Sequence, residues 1–306
     1  MRANTLLGTA YALLLGGVLL AGCSPDQATS RWQERPSPTT QELLGVAYGP
    51  QGFVAVGGGS GSTVILASSD GLSWSRVSFD AQAQLTHVVS GEGFYVAVGF
   101  DNTVLISQDG RTWEKVFQAT LGYFNRVAFG NGRFVATQGF GRLLVSEGPE
   151  PRTWRWVVLP TGAGMELTGV AYGGGRWVVV GQLGQIWVSQ DGLVWERVDS
   201  GVEDNLEAVV YGNGVFLALP YNGTYILRSQ DGRTWSKHPS PGALLSRTLA
   251  FGEGEFLVLS RGRAHFSGDG LTWREESFPR AIGVNGLAYG QNRWVAVGSG
   301  GYLALR

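Results

Sequence analysis

Five aspartates recur in one setting and are the first candidates for chemistry. The heptad SQDGRTW stands twice, at Ser107–Trp113 and Ser229–Trp235, and near-copies end at Trp74, Trp195 and Trp273. Carboxylates can act as acids, bases or metal ligands, but a residue repeated in nearly every unit is expected to serve the fold. In such a turn Asp accepts backbone N–H groups, and Gly takes a conformation that other residues resist. We therefore expect structural roles for Asp70, Asp109, Asp191, Asp231 and Asp269.

The other acids and the histidines show no catalytic or metal-binding motif. The three histidines lie in different parts of the chain, at His87, His238 and His265, whereas a metal site needs a cluster. Carboxylates for glycoside hydrolysis need only converge in space, so Asp101, Glu166 and Glu207 stay open as members of a pair. We expect no metal, no cofactor and no enzymatic activity.

The composition favours an all-β protein. The chain has 306 residues, 23 Lys and Arg against 24 Asp and Glu, 48 Gly and 11 Trp. A formal net charge of −1 gives no field that would attract nucleic acid. The many glycines indicate tight turns, and short alternating runs such as FVAVG indicate strands.

The N-terminus reads as a targeting segment. An apolar run ends at Leu20-Ala21-Gly22-Cys23, and Cys23 is the only cysteine. By length the run would also suit a membrane-spanning helix. The ending resembles the lipobox of bacterial lipoproteins, which implies a signal peptide over residues 1–22 and diacylglycerol on Cys23. Residues 23–30 would then be a short tether of roughly 25 Å at most. The resemblance implies a bacterial cell envelope, and in a Gram-negative cell Ser24 favours the outer membrane.

A second repeat covers the rest of the chain. Seven VAYG-type segments follow one another at intervals of about 40 residues, a period typical of a β-propeller. They start at Val46, Val88, Val127, Val170, Val209, Leu249 and Leu287. We predict one domain over residues 31–306, a seven-bladed propeller with four-stranded blades. VAYG is the innermost strand, and the heptad is the turn between the third and fourth strands.

The N-terminal segment is predicted to complete the last blade. Only six heptad-type turns follow the seven VAYG segments, counting the irregular Ser146–Trp154. Trp32 precedes Val46 by the same spacing that separates Trp195 from Val209. We therefore expect a strand near Trp32 to pair with the strand near Tyr302–Leu305, which removes a free sheet edge. The heptad tryptophans should fill space beneath the turns: Trp74, Trp113, Trp154, Trp195, Trp235 and Trp273.

Aromatic residues recur at two positions of the repeat. The second strand opens with an aromatic residue in all seven copies: Phe53, Tyr95, Phe134, Trp177, Phe216, Phe256 and Trp294. The innermost strand carries one in six copies, with Ser90 as the exception. A sugar-binding site would not recur in every blade, so we predict that both sets belong to the core.

The repeats resemble a known class of proteins. The heptad is similar to the Asp-box of sialidase-like (BNR-like) propellers, with one residue fewer between Asp and Gly. The whole chain resembles bacterial Asp-box propeller lipoproteins, and the nearest characterised pattern is the photosystem II assembly and stability factor family. That resemblance implies a scaffold with basic residues on one face. The sialidase element Phe/Tyr-Arg-Ile-Pro is absent, because FPRAI from Phe278 has the wrong order.

Function is expected on loops held by the propeller. Loops entering the innermost strands and loops joining the second and third strands should share one face. The candidate binding residues there are His87, Asp101, Asn125, Arg126, Glu207, Tyr221, Arg247, Arg261 and Arg263. We predict a monomeric, non-catalytic scaffold that binds envelope or surface proteins and no nucleic acid. The alternative is a propeller that binds or hydrolyses carbohydrate.

Overall fold

The structure is a seven-bladed β-propeller. The computed structural model describes residues 31–79, 81–119, 122–160, 165–221, 223–242, 248–281 and 283–306. These residues form seven antiparallel sheets of four strands each. Each innermost strand packs against that of the next blade, and the last packs against the first, so the ring closes. The predicted fold is confirmed.

The inner half of every blade is a hairpin. The innermost strands line a central channel and are β2 Leu43–Gly49, β6 Leu85–Gly91, β10 Phe124–Gly130, β14 Leu167–Gly173, β18 Leu206–Gly212, β22 Leu249–Gly252 and β26 Val284–Gly290. The second strands are β3 Gly52–Gly57, β7 Phe94–Gly99, β11 Arg133–Gln138, β15 Arg176–Gly181, β19 Val215–Pro220, β23 Glu255–Ser260 and β27 Arg293–Gly298.

The outer half of every blade is more exposed. The third strands are β4 Val64–Ser68, β8 Val104–Ser107, β12 Arg142–Ser146, β16 Ile186–Ser189, β20 Tyr225–Ser229, β24 Arg263–Ser267 and β28 Tyr302–Leu305. The outermost strands are β5 Ser75–Arg76, β9 Glu114–Phe117, β13 Trp154–Val158, β17 Glu196–Val198, β21 Ser236–Pro239, β25 Arg274–Ser277 and, for the seventh blade, β1 Gln33–Glu34. A short 3-10 turn, Ser299–Gly301, precedes β28.

The N-terminal strand closes the ring as expected. Gln33 pairs with Leu305 and Glu34 with Ala304, so β1 is the fourth strand of the seventh blade. Leu305 occupies the position that Ala67 has in the first blade, where Ala67 pairs with Ser75. Trp32 is therefore the counterpart of Trp74. Its side chain is only 3% exposed and packs edge-on against Phe278.

The core lies between blades, because both faces of a blade contact a neighbour. This explains why β3, β4 and β7 are buried along their whole length although strands often alternate. The seven aromatics that open the second strands are all buried, as predicted. The innermost-strand aromatics differ, because they end at the channel: Tyr48 is exposed and the others are half-buried.

None of the helical structure in the described residues is long and apolar enough to span a membrane. The proposed signal peptide, Cys23 and the tether lie outside the described residues.

Candidate functional site

The two faces of the propeller carry different structures. On one face, which we call the loop face, the loop between the second and third strands bonds to the segment that enters the innermost strand. Examples are the backbone bonds from Phe100 N to Gln84 O and from Tyr221 N to Asn205 O. The opposite face, which we call the heptad face, carries the heptad turns. The predicted sharing of one face by these two sets of loops is confirmed.

The repeated aspartates hold the heptad turns together. In the second blade, Asp109 Oδ1 accepts the N–H groups of Arg111 at 2.8 Å and Thr112 at 2.6 Å. The Trp113 indole donates to Gly110 O at 3.1 Å. The other four heptads repeat the carboxylate pattern. The hydrogen bonds from the backbone N–H groups of each turn lower the pKa of its aspartate carboxyl.

The heptad tryptophans do not all behave alike. Trp74, Trp113, Trp154, Trp195 and Trp235 donate to a backbone carbonyl of their own turn. The indole N–H of Trp273 is buried without an acceptor among the described residues. The irregular third-blade turn keeps the bond by using Pro151 O.

A cavity of about 480 Å³ lies at the channel mouth on the loop face. Its apolar walls include Leu44, Phe100, Leu259 and Phe278. Two cations, Arg126 and Arg280, and two amides, Asn125 and Asn285, also border it. Arg280 is held in place, because it donates to Ser299 O at 2.9 Å and lies over the Tyr302 ring. The lining suits a group that has both apolar and anionic parts.

Arg126 and His87 lie together below this mouth. Both residues line the channel. Burial and the neighbouring Arg126 guanidinium lower the pKa of His87 to about 3, so its imidazole is neutral at physiological pH. Its Nδ1 faces the Val127 N–H at 3.4 Å, which fits a neutral ring. The only permanent charge that this pair adds to the channel is therefore that of Arg126.

Several polar residues at the mouth tie blades together. Asn125 Nδ2 donates to Leu167 O at 2.9 Å, and Asn285 Nδ2 donates to Leu43 O at 3.0 Å. In the second blade Thr86 occupies the position that Asn125 has in the third, and its Oγ1 donates to Phe124 O at 2.6 Å. Each bond links one innermost strand to the next. Asn125 thus has a structural partner, while its predicted part in binding stays a prediction.

Exposed apolar side chains form an arc on the loop face. Four consecutive blades carry one in the loop between the second and third strands: Phe100, Phe140, Leu183 and Tyr221, which are 41%, 66%, 53% and 55% exposed. Phe140 and Leu183 have φ values of 62° and 53°, a conformation that bulky residues rarely adopt. Phe100 stacks on Tyr123, whose hydroxyl donates to Glu166 at 2.5 Å. We call these four residues the apolar arc.

The remaining predicted residues lie around this arc. Asp101 follows Phe100 in an exposed turn, and Glu207 is buried at the entry to β18. Arg261 and Arg263 are exposed in the corresponding loop of the sixth blade, where Arg263 faces Glu275 at 3.5 Å. Arg247 lies outside the described residues.

Sequence reasoning did not single out most of the cavity wall. Arg280 and Phe278 belong to the FPRAI stretch, whose sequence gives no sign of a place in a cavity wall. Phe140 and Leu183 stand one position after the residues that align with Tyr221, so the repeat alignment alone does not identify them. Among the described residues, no group of three His, Cys, Asp or Glu side chains could hold a metal ion.

The comparisons with solved structures show the same fold. The chain is similar to a YCF48 protein bound to a D1 peptide, with TM-score 0.69, 18% identity, and coverage of 92% of this chain and 96% of that one. It is also similar to YCF48 from Cyanidioschyzon merolae, with TM-score 0.65, 18% identity, and coverage of 90% of this chain and 98% of that one. For a streptogramin B lyase the TM-score is 0.75 and the identity 13%, with coverage of 90% of this chain and 97% of that one. At these identities the likeness defines the class of protein, a β-propeller, and not its activity.

No protein-family model and no curated protein matches the sequence.

Proposed function

We propose that this protein is an envelope-anchored scaffold that binds a protein partner on its loop face. The observation that carries the proposal is the apolar arc of Phe100, Phe140, Leu183 and Tyr221, which lies on one face of four consecutive blades. Exposed apolar groups gathered in this way mark interaction sites on soluble domains. On the heptad face the exposed large apolar residues of the described chain are dispersed over the first, fourth and sixth blades, at Tyr48, Leu72, Val194 and Leu271.

The cations beside the arc give the partner a second requirement. Arg126 and Arg280 border the mouth cavity, and Arg261 and Arg263 stand in the sixth-blade loop. A partner segment with apolar side chains and a carboxylate would fit both features. A YCF48 protein with the same fold binds a D1 peptide, which supports peptide binding as a use of this architecture.

The experiment is a quantitative cross-linking pull-down from native membranes. We expect Phe140→Asp and Arg126→Glu each to reduce recovery of the same partner about tenfold or more. Arg197→Glu, an exposed charge reversal on the outermost strand β17, is the matched control and should leave recovery unchanged. Circular dichroism confirms that each variant is folded. Equal recovery with all three variants would refute the loop face as the binding surface.

The alternative predicted from the sequence is a propeller that binds or hydrolyses carbohydrate, with Asp101, Glu166 and Glu207 as candidate carboxylates. Glycan-dependent thermal stabilisation that survives Phe140→Asp would favour it over protein binding.

A further inference from the structure

The sixth blade carries a serine, a histidine and a glutamate in a row on three adjacent strands. Ser260 Oγ lies 2.7 Å from His265 Nε2, and His265 Nδ1 lies 3.9 Å from Glu275 Oε2. We propose that these residues form a nucleophilic site in which Ser260 cleaves carboxylic esters. This activity goes beyond the proposed binding function and departs from the expectation of no catalysis.

Strand register produces the arrangement. His265 pairs with Val258 on β23 and with Glu275 on β25. Directly paired residues and residues two apart on one strand share a face of the sheet. Ser260 stands two residues after Val258 and so lies on the same face. The His265 imidazole therefore lies between Ser260 and Glu275. This is the order that a nucleophile, a base and an orienting carboxylate require.

The histidine is suited to accept a proton. Its side chain is 3% exposed, and burial lowers the pKa of His265, with Glu275 opposing and Arg263 reinforcing the effect. The ring is therefore neutral at physiological pH. A carboxylate next to Nδ1 favours the tautomer with its proton on Nδ1, which leaves the Nε2 lone pair facing the Ser260 hydroxyl.

The position of Ser260 defines the substrate class. Ser260 is partly exposed and borders the mouth cavity together with Leu259, Phe278 and Arg280. Gly242 covers the pair closely, because a Cβ there would lie 3.8 Å from Ser260 Oγ and 3.9 Å from His265 Nε2. The substrate that fits is an ester with an apolar part against these walls and an anionic group near Arg280.

The reaction needs no cofactor. Ser260 Oγ attacks the acyl carbon while Nε2 takes its proton, and the ester C–O bond breaks as His265 returns the proton to the departing alcohol. Water then attacks the acyl-serine with the same base, so ester and water give acid and alcohol.

The first test is labelling of the full-length protein with a biotinylated fluorophosphonate. The serine oxygen forms a bond to phosphorus, and the P–F bond breaks with loss of fluoride. We expect one labelled peptide, the one containing Ser260, and no label in Ser260→Ala. Ser236 is the matched control, because its Oγ lies 2.8 Å from His238 Nε2 on the exposed strand β21. Ser236→Ala should label like the wild type.

The second test separates the roles of the neighbours by turnover. p-Nitrophenyl hemisuccinate should be hydrolysed faster than p-nitrophenyl butyrate, and Arg280→Ala should abolish that preference. His265→Asn should slow hydrolysis by about 100-fold or more. Should this variant fail to fold, Glu275→Gln on the exposed strand β25 should lower kcat with KM unchanged, as expected for a positioning residue.

Three results would contradict the proposed esterase site. An unlabelled wild type whose fold is intact by circular dichroism, label on Ser236, or hydrolysis that survives Ser260→Ala would each overturn it. None of these readouts uses the protein partner, so failure of the loop-face proposal leaves this test unaffected.

Discussion

At the scale of single residues, the second blade shows how one substitution in the repeat is compensated by another. Ser90 stands where the other innermost strands carry an aromatic ring. Tyr95 on the paired strand fills this space, because a Cβ on Gly49 would meet both Ser90 and the Tyr95 ring. The Tyr95 hydroxyl also donates to Gly52 O at 2.8 Å and accepts from Gln51 N at 3.1 Å. Tyr95 thus joins the first and second blades.

Tyr95→Phe should therefore lower the free energy of unfolding by about 1–2 kcal/mol, because a buried carbonyl and an N–H lose their partner. Tyr172→Phe is the control, since that hydroxyl makes no hydrogen bond among the described residues and its loss should be neutral. Urea unfolding measures both. If Tyr95→Phe left the free energy of unfolding unchanged, the packing of the ring alone would account for the contact between the first and second blades.

The heptad carboxylates should make stability depend on pH. The Thr112 N–H is the largest cause that lowers the pKa of Asp109, to about 2, from about 4 in an unfolded chain. Because the folded state holds the ionised form, this stabilisation is present above about pH 4 and is lost as the pH falls towards 2. Asp109→Ala should cost about 1 kcal/mol at pH 7, as loss of a capping side chain does.

Thermal unfolding at pH 7 and at pH 2.5 measures this effect. The difference between wild type and Asp109→Ala should shrink at the lower pH, whereas Asp109→Asn should keep part of the stability without that pH dependence. A difference that stays constant across the range would assign the effect to packing rather than to charge.

At the scale of elements, the ring depends on the two-residue strand β1. It covers the edge of β28, and Trp32 fills the space between the sixth and seventh blades with Phe278 and Tyr302. Rim contacts between other blades are more exposed. Arg233, for example, reaches Glu196 of the preceding blade at the surface, where ion pairs contribute little.

Trp32→Ala should lower the free energy of unfolding by about 3–5 kcal/mol, because it empties a buried site at the closure. Gln33→Ala on the same strand, with an exposed side chain, should change stability by less than about 0.5 kcal/mol. Denaturant unfolding of the two variants measures how much the packing of the Trp32 side chain contributes to stability beyond the pairing of β1 with β28. Equal effects would show that β1 acts through its backbone alone.

At the scale of the whole molecule, strand direction fixes the side on which the chain enters. Gln33 pairs with Leu305, and Arg306 follows that residue at the heptad-face end of β28, where it bonds to Trp294. Arg31 therefore emerges at the heptad face. With lipid on Cys23, as we propose, this face would be held near the bilayer and the loop face would point away, towards partners.

Two measurements test this arrangement. Alkyne-palmitate should label the wild type and fail to label Cys23→Ala; label retained by the variant would exclude lipidation at that site. A fluorophore on Val194→Cys, on the heptad face, should then be quenched by lipid-borne nitroxides more strongly than one on Tyr221→Cys, on the loop face. Equal quenching would contradict the orientation.

The sequence by itself determined the blade number, the closure at Trp32 and the chemistry of the heptad turns. These features depend on contacts within one repeat or on the count of repeats, and both can be read along the chain. Asp109 and Trp113 could be assigned to a turn because the hydrogen bonds that define the turn join residues only a few positions apart. The second-strand aromatics were predictable because every blade places them between two sheets.

Only the tertiary structure decided which side chains from different blades meet. Arg126 and Arg280 share a cavity because the ring brings the third blade opposite the sixth. Ser260, His265 and Glu275 share a blade face only through the register of three strands. A one-residue shift of register would move a side chain to the other face. The physical reason is that these contacts depend on the register between paired strands and on packing between blades across the ring, and neither is visible in the residue pattern of a single strand.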